Sequence, residues 1–160
     1  MKRQVSIKPL KLGAFYFNNM QMITKSPEET VKLGERMGKA ATPGMVIALT
    51  GELGAGKTTL VQGIAKGLGV TDYVTSPSFV IISEFKGSIP LCHFDFYRLE
   101  GPSQIEELGI DEYFSRKDSV CVIEWAEKLG GLLPDSAAKV TIEIVSENER
   151  KFTVEGIDKI

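Results

Sequence analysis

Met45-Val-Ile-Ala-Leu-Thr-Gly-Glu-Leu-Gly-Ala-Gly-Lys-Thr-Thr59 is the stretch that decides the fold. Its first six residues are a continuous apolar run between Gly44 and Gly51, the signature of a strand covered on both faces. Residues 57–68 read as a helix, with Leu60, Ile64 and Leu68 on one face beside Val61 and Ala65, and Gly69 just past its end. Between strand and helix, Gly51-Glu52-Leu53-Gly54-Ala55-Gly56-Lys57-Thr58 fills every fixed position of the phosphate-loop pattern. Phosphates need many donors in a small space, and backbone N–H groups supply them only where side chains do not obstruct. Gly51, Gly54 and Gly56 provide such positions, with Glu52, Leu53 and Ala55 completing the cradle, and the following helix N-terminus favours negative charge. Lys57 is expected to reach the β- and γ-phosphates as an exposed point charge. The Thr58 hydroxyl is expected at Mg²⁺, and Thr59 near the α-phosphate. Nothing resembles the Asn-Lys-x-Asp element that selects guanine, so ATP is the default nucleotide.

Outward from this core, Met20–Thr24 reads as a strand, and Ser26-Pro27-Glu28-Glu29 as a helix start with a capping box. Leu33, Met37, Ala40 and Ala41 mark that helix's apolar face, and Pro43-Gly44 stops it. Strands are expected at Phe79–Ser83 and Leu91–Asp95, paired antiparallel through the Lys86-Gly87-Ser88 turn. A short helix runs from Pro102 through Leu108. Ser119–Glu124 is a further buried strand, and two more, near 139–145 and 151–155, flank Ser146–Glu149. The expected class is α/β: a single P-loop NTPase-like domain over residues 21–160, its mixed parallel and antiparallel sheet flanked by helices. Residues 1–20 read as an extension, with one added edge strand as an option, and its first residues are expected to be loose.

The composition fits one globular domain: 160 residues, 42% hydrophobic and 25% charged. With 19 basic against 21 acidic residues the net charge is −2, which argues against holding a long polyanion unaided. No apolar run approaches the length that spans a bilayer, and the N-terminal residues lack the apolar block of a signal peptide. Cys92 and Cys121 lie in apolar stretches and read as buried, reduced thiols, which suits a soluble, cytoplasmic protein.

Two strands end in acid, at Asp95 and at Glu124, where α/β sheets bind ligands. Either carboxylate can serve the metal or orient water. Thr75, in Thr75-Ser76-Pro77-Ser78, occupies a loop where related NTPases place a threonine that senses metal and γ-phosphate; a proline turn is the competing reading. Arg98 is either a charge-stabilising finger or a surface ion pair. Trp125 either lines the site, presents a partner surface or packs in the core. His93 reads as a packed or partner-facing imidazole rather than a base.

Taken together, Gly51–Thr59, Thr75-Ser-Pro-Ser-Phe79, His93-Phe-Asp-Phe-Tyr-Arg-Leu99 and Glu124-Trp125 resemble the TsaE (formerly YjeE) family, over roughly Ile23 to Val145. These are small bacterial P-loop ATPases needed for making threonylcarbamoyladenosine in tRNA. The resemblance implies Thr58 and Glu124 at Mg²⁺ and Asp95 as the acid needed for hydrolysis, with Ser26-Pro27 near the nucleotide base. It implies TsaD and TsaB as partners, with tRNA reached only through them. Ala126 stands where the family often has proline, and residues 1–20 have no counterpart in it. Two other readings compete. A small-molecule P-loop kinase would need an arginine-rich lid, and only Arg98 and Arg116 lie between the phosphate-loop helix and the last strands. A nucleotide-sensing module that hydrolyses nothing would leave Asp95 and Glu124 without a task.

Overall fold

The computed structural model describes residues 10–12, 15–17, 19–76 and 80–160. The strands are β1 (Leu10–Leu12), β2 (Phe15–Phe17), β3 (Met20–Thr24), β4 (Val46–Thr50), β5 (Ile82–Phe85), β6 (Leu91–Asp95), β7 (Val120–Glu124), β8 (Ala138–Ile144) and β9 (Arg150–Glu155). The helices are α1 (Pro27–Ala40), α2 (Lys57–Gly67), α3 (Pro102–Glu106) and α4 (Ile110–Phe114), with a 3-10 segment at Ala126–Leu132.

Seven strands form one sheet in the order β3-β9-β8-β4-β7-β6-β5. Its centre, β8-β4-β7-β6, is parallel. Antiparallel partners close both sides, β5 on β6 and β9 with β3 beyond β8. The apolar runs make this order possible: β4, β6 and β7 are buried along almost their whole length, as central strands under helices must be. Ile47, Leu49, Leu91, Val120, Val122 and Val140 face α1 and α2. Val46, Ala48, Cys92, Phe94, Cys121 and Ile123 face the opposite way, toward Ile105, Ile110 and Leu129.

α1 and α2 pack at backbone contact. A Cβ on Gly63 would lie 2.2 Å from the Val31 carbonyl oxygen, and one on Gly38 2.2 Å from that of Ile64. Glycine is therefore required here by close approach, and the packing fixes the axis of the helix that carries the phosphate loop. At the start of α1, Ser26 Oγ accepts the Glu29 N–H at 3.2 Å. Glu29 closes the cap one residue further out than the usual box, accepting the Lys25 N–H at 2.7 Å.

Several expectations shift. The strand expected at Phe79–Ser83 begins at Ile82 and runs to Phe85; Pro77–Phe79 lie outside the described residues. The antiparallel β5–β6 pairing is as expected. The helix expected through Leu108 ends at Glu106, and α4 and the 3-10 segment had no periodic signal because each is too short to show a face. β1 and β2 pair with each other, Leu10 opposite Phe17, in a two-stranded sheet of their own rather than adding an edge to the main one. The expectation of loose first residues falls outside the described ones. Cys92 and Cys121 are buried, reduced register partners on β6 and β7. Among the described residues no helix is long and apolar enough to cross a membrane.

Candidate nucleotide-binding site

The phosphate loop joins the end of β4 to α2 at the C-terminal edge of the parallel strands. Gly54 and Gly56 have φ of +80° and +98°, and a Cβ at either would meet nothing within 4 Å. Their backbone is thus left-handed and open to a ligand. Gly51 is required for a different reason. A Cβ there would sit 2.9 Å from the Ile142 carbonyl oxygen, so this glycine serves the packing of the loop on β8. Ala55 is fully buried, and its N–H donates to the Glu52 carbonyl at 3.0 Å, closing the loop's turn. Arg150, at the start of β9, braces the loop from outside. Its Nη2 donates to the Gly54 carbonyl at 3.2 Å while Nη1 holds the carbonyls of Ser146, Glu147 and Glu149.

Lys57 is not the exposed point charge expected. It is only 5% exposed, folded back so that Nζ donates to the carbonyls of Gly51 and, at 2.9 Å, Glu52. Nζ also lies 4.0 Å from the centroid of the Trp125 ring. Burial pushes the lysine below its ordinary pKa, against the opposing pull of Glu124, Glu127, Asp95 and Glu52.

The two strand-end acids are register partners, Asp95 on β6 opposite Glu124 on β7. Glu124 is buried and Thr58 Oγ1 donates to it, 3.0 Å from Oε1 and 3.1 Å from Oε2. His93 Nε2 lies 2.9 Å from the same Oε1. Asp95 ties down its surroundings: Oδ1 accepts the Tyr97 N–H at 3.0 Å, and the Ser76 hydroxyl bonds Oδ2. Trp125 has φ of +59°, uncommon for a bulky residue, and this turn swings its ring over the loop. The ring contacts Tyr97 at 5.1 Å between centroids.

Among these elements lies a cleft of about 600 Å³, a size that suits a nucleotide. Of the expected residues, Gly54, Gly56, Lys57, Thr58, Thr59, Asp95, Glu124 and Trp125 line it, as does Arg98. Glu52 contributes its carbonyl to Lys57. Leu53, 69% exposed, stands at the rim. Thr75 is exposed and does not line the cleft; its neighbour Ser76 does. Pro27 lies off the cleft, in the first turn of α1. Next to Asp95, Phe96 is fully buried and Tyr97 is half exposed. Sequence reasoning missed Ser76, Val80, Ile81 and Tyr97 as lining residues and the His93–Glu124 contact. The i, i+2 spacing of His93 and Asp95 puts both on one face, but the contact itself depends on β7 lying beside β6.

The profile of the family described as "Threonylcarbamoyl adenosine biosynthesis protein TsaE" matches residues 24–152. A Bacillus subtilis (strain 168) protein named "tRNA threonylcarbamoyladenosine biosynthesis protein TsaE" is 43% identical over 135 residues, which is 84% of each chain. A Treponema pallidum protein of the same name is 33% identical over 84% of this chain and 99% of its own. The crystal structure of Bacillus subtilis YdiB superposes with a TM-score of 0.75 at 35% identity, covering 90% of this chain and 89% of that one. With the match spanning β3 to β9, and so the phosphate loop and both strand-end acids, the chain belongs to the TsaE family.

Proposed function

We propose that this chain binds ATP with Mg²⁺, hydrolyses it slowly, and so supports threonylcarbamoyladenosine modification of tRNA, the process for which its relatives are named. The observation that carries the reading is the Thr58–Glu124 contact at the N-terminus of α2, the helix that follows two open glycines of the phosphate loop.

The donor set suits Mg²⁺. Hydroxyl and carboxylate oxygens are hard ligands, and Mg²⁺ is usually held by one or two carboxylates together with substrate phosphates rather than by a protein cage. Among the described residues no group of three or more His, Cys, Asp or Glu could hold a metal by itself, which agrees with that mode. Thr58 and Glu124 would hold the ion, with Asp95 beside them. When bound, it would neutralise charge on the β- and γ-phosphates.

The remaining work falls to the chain's own groups. Lys57 exchanges its two carbonyl partners for phosphate oxygens, so its ammonium stays hydrogen-bonded in both states. The backbone from Gly51 to Thr59 cradles the phosphates. Asp95, fixed by Ser76 and the Tyr97 N–H, orients the attacking water. Trp125 covers the loop, and Thr75 acts through the segment it shares with Ser76. Pro27 belongs to the base side at the same sheet end, where Thr24 of β3 pairs with Arg150, the residue that braces Gly54. TsaD and TsaB are the partners, in the cytoplasm, with tRNA held by them: a net charge of −2 gives this chain no general hold on a polyanion.

Calorimetric titration tests the reading. Lys57→Ala is expected to weaken ATP–Mg²⁺ binding by about 10- to 100-fold, the worth of a charge-assisted hydrogen bond. Parental affinity in that variant would count against it.

A further inference from the structure

We propose that His93 is a positioning residue for Glu124: its Nε2–H aims the carboxylate at the metal side of the cleft without touching nucleotide. The proposal rests on the reading of Thr58 and Glu124 as the magnesium end of the site.

His93 is the chain's only histidine and is 2% exposed, in the middle of β6. The β6–β7 register sets it opposite Val122, with Asp95 opposite Glu124. The imidazole therefore reaches diagonally, one same-face step along β7, to meet Glu124 Oε1 at 2.9 Å. It does not line the cleft. Its other nitrogen, Nδ1, is buried with no hydrogen-bond partner among the described residues.

The hydrogen bonds fix the tautomer. An ionised carboxylate only accepts, so the nitrogen facing it must donate. A proton on Nδ1 would bury a donor with no acceptor, which costs free energy, whereas a lone pair there costs less. His93 is thus the Nε2–H tautomer.

Glu124 itself is 2% exposed, and the donors that reach its oxygens are Thr58 and His93. With a cation held between Thr58 and Glu124, the Thr58 oxygen would turn a lone pair toward the ion and its O–H would be free to reorient. His93 would then be the fixed donor on Oε1 that keeps the carboxylate turned toward the metal side of the cleft. Without it, a buried carboxylate loses a partner it cannot replace from solvent. Groups that orient metal-side ligands typically change metal affinity by about 10- to 100-fold when removed.

The test uses the full chain, with the parent, His93→Gln and His93→Leu. Glutamine can still offer a side-chain N–H toward Glu124; leucine cannot. Trp125, the only tryptophan, lines the cleft and reports binding by its fluorescence. A non-hydrolysable ATP analogue is titrated without metal, and Mg²⁺ is then titrated at saturating analogue. The expected result is metal-free analogue affinity within about twofold of the parent in both variants. The Mg²⁺ half-saturation point rises about tenfold in His93→Leu and stays within about threefold in His93→Gln. Nitrogen NMR of the single imidazole, in metal-free parent protein, is expected to show the Nε2–H form.

Parental Mg²⁺ dependence in a folded His93→Leu, or a proton on Nδ1, overturns the proposal. If His93→Leu does not fold, the glutamine variant and the tautomer decide it: loss of Mg²⁺ response in His93→Gln, with the donor retained, overturns it too. A parent protein whose analogue binding ignores Mg²⁺ overturns the reading of the cleft itself, and does so before any substitution is made.

Discussion

Thr58 Oγ1 donates to the Glu124 carboxylate across 66 residues of chain, at 3.0 and 3.1 Å from its two oxygens. The contact exists because β7 lies directly beside β4, so the tip of one strand faces the first turn of the helix that follows the other. Asp95, one strand further out, is engaged instead by Ser76 and the Tyr97 backbone. The two acids thus have different neighbours, and the different tasks proposed for them rest on that difference.

Glu124→Ala and Asp95→Ala are expected to cut hydrolysis on the order of 100-fold while changing ATP affinity far less. On the proposed reading the loop backbone and Lys57 supply most ground-state contacts, whereas the acids serve metal and water. Glu124→Ala is also expected to raise the Mg²⁺ requirement, and Asp95→Ala to leave it nearly unchanged. Steady-state ATPase assays across Mg²⁺ concentrations check this; parental turnover in either variant removes that acid from the chemistry.

Lys57 gives a pH dependence with a definite sign. Burial lowers its pKa in the folded protein, so in the alkaline window between that lowered value and its ordinary one the unfolded chain binds more protons. Lys57 therefore makes the nucleotide-free protein more stable as pH rises through the window. Lys57→Met is expected to flatten that rise. ATP affinity runs the other way, falling over the same window as the ammonium is lost. Denaturant unfolding and ATP titration at matched pH values read both slopes, and a Lys57→Met stability profile parallel to the parent's would refute the first.

Gly63→Ala is expected to destabilise the protein by about 1–3 kcal/mol or to shift α2. The added Cβ meets the Val31 carbonyl oxygen, and backbone cannot step aside as a flexible side chain can. Because α2 carries Lys57 and Thr58, ATP affinity should fall together with stability. Gly131→Ala, where a Cβ meets nothing within 4 Å, is the control. Equal unfolding midpoints for the two variants would rule out the packing argument.

The isolated protein is expected to be a poor ATPase that the TsaD–TsaB complex stimulates. The cations lining the cleft among the described residues are Lys57 and Arg98, and Lys57 is held on its own loop carbonyls. An arginine supplied by a partner is worth about 10³–10⁵ in rate in other NTPases. Leu53, Val80 and Tyr97, each at least half exposed at the cleft rim, offer the apolar contact such a partner needs. ATPase rates with and without purified TsaD–TsaB decide it; a fast enzyme indifferent to the complex sinks the idea.

What was legible from sequence was what is local along the chain. The phosphate loop is eight contiguous residues, and its strand and helix announce themselves by a continuous apolar run and a helical face. The two acids were legible because each closes an apolar strand, Leu91–Asp95 and Val120–Glu124. Tertiary structure decided everything that depends on strand order and on side chains meeting across it. The buried His93 meets Glu124, Ser76 reaches Asp95, and Arg150 braces Gly54 from 96 residues away. Lys57 is buried with its ammonium on the Gly51 and Glu52 carbonyls and against the ring of Trp125, a residue of positive φ. Gly51, which the motif assigns to phosphate, is held to glycine by a carbonyl on β8. Periodicity records which way a residue faces, and it carries no information about which strand comes to lie beside it.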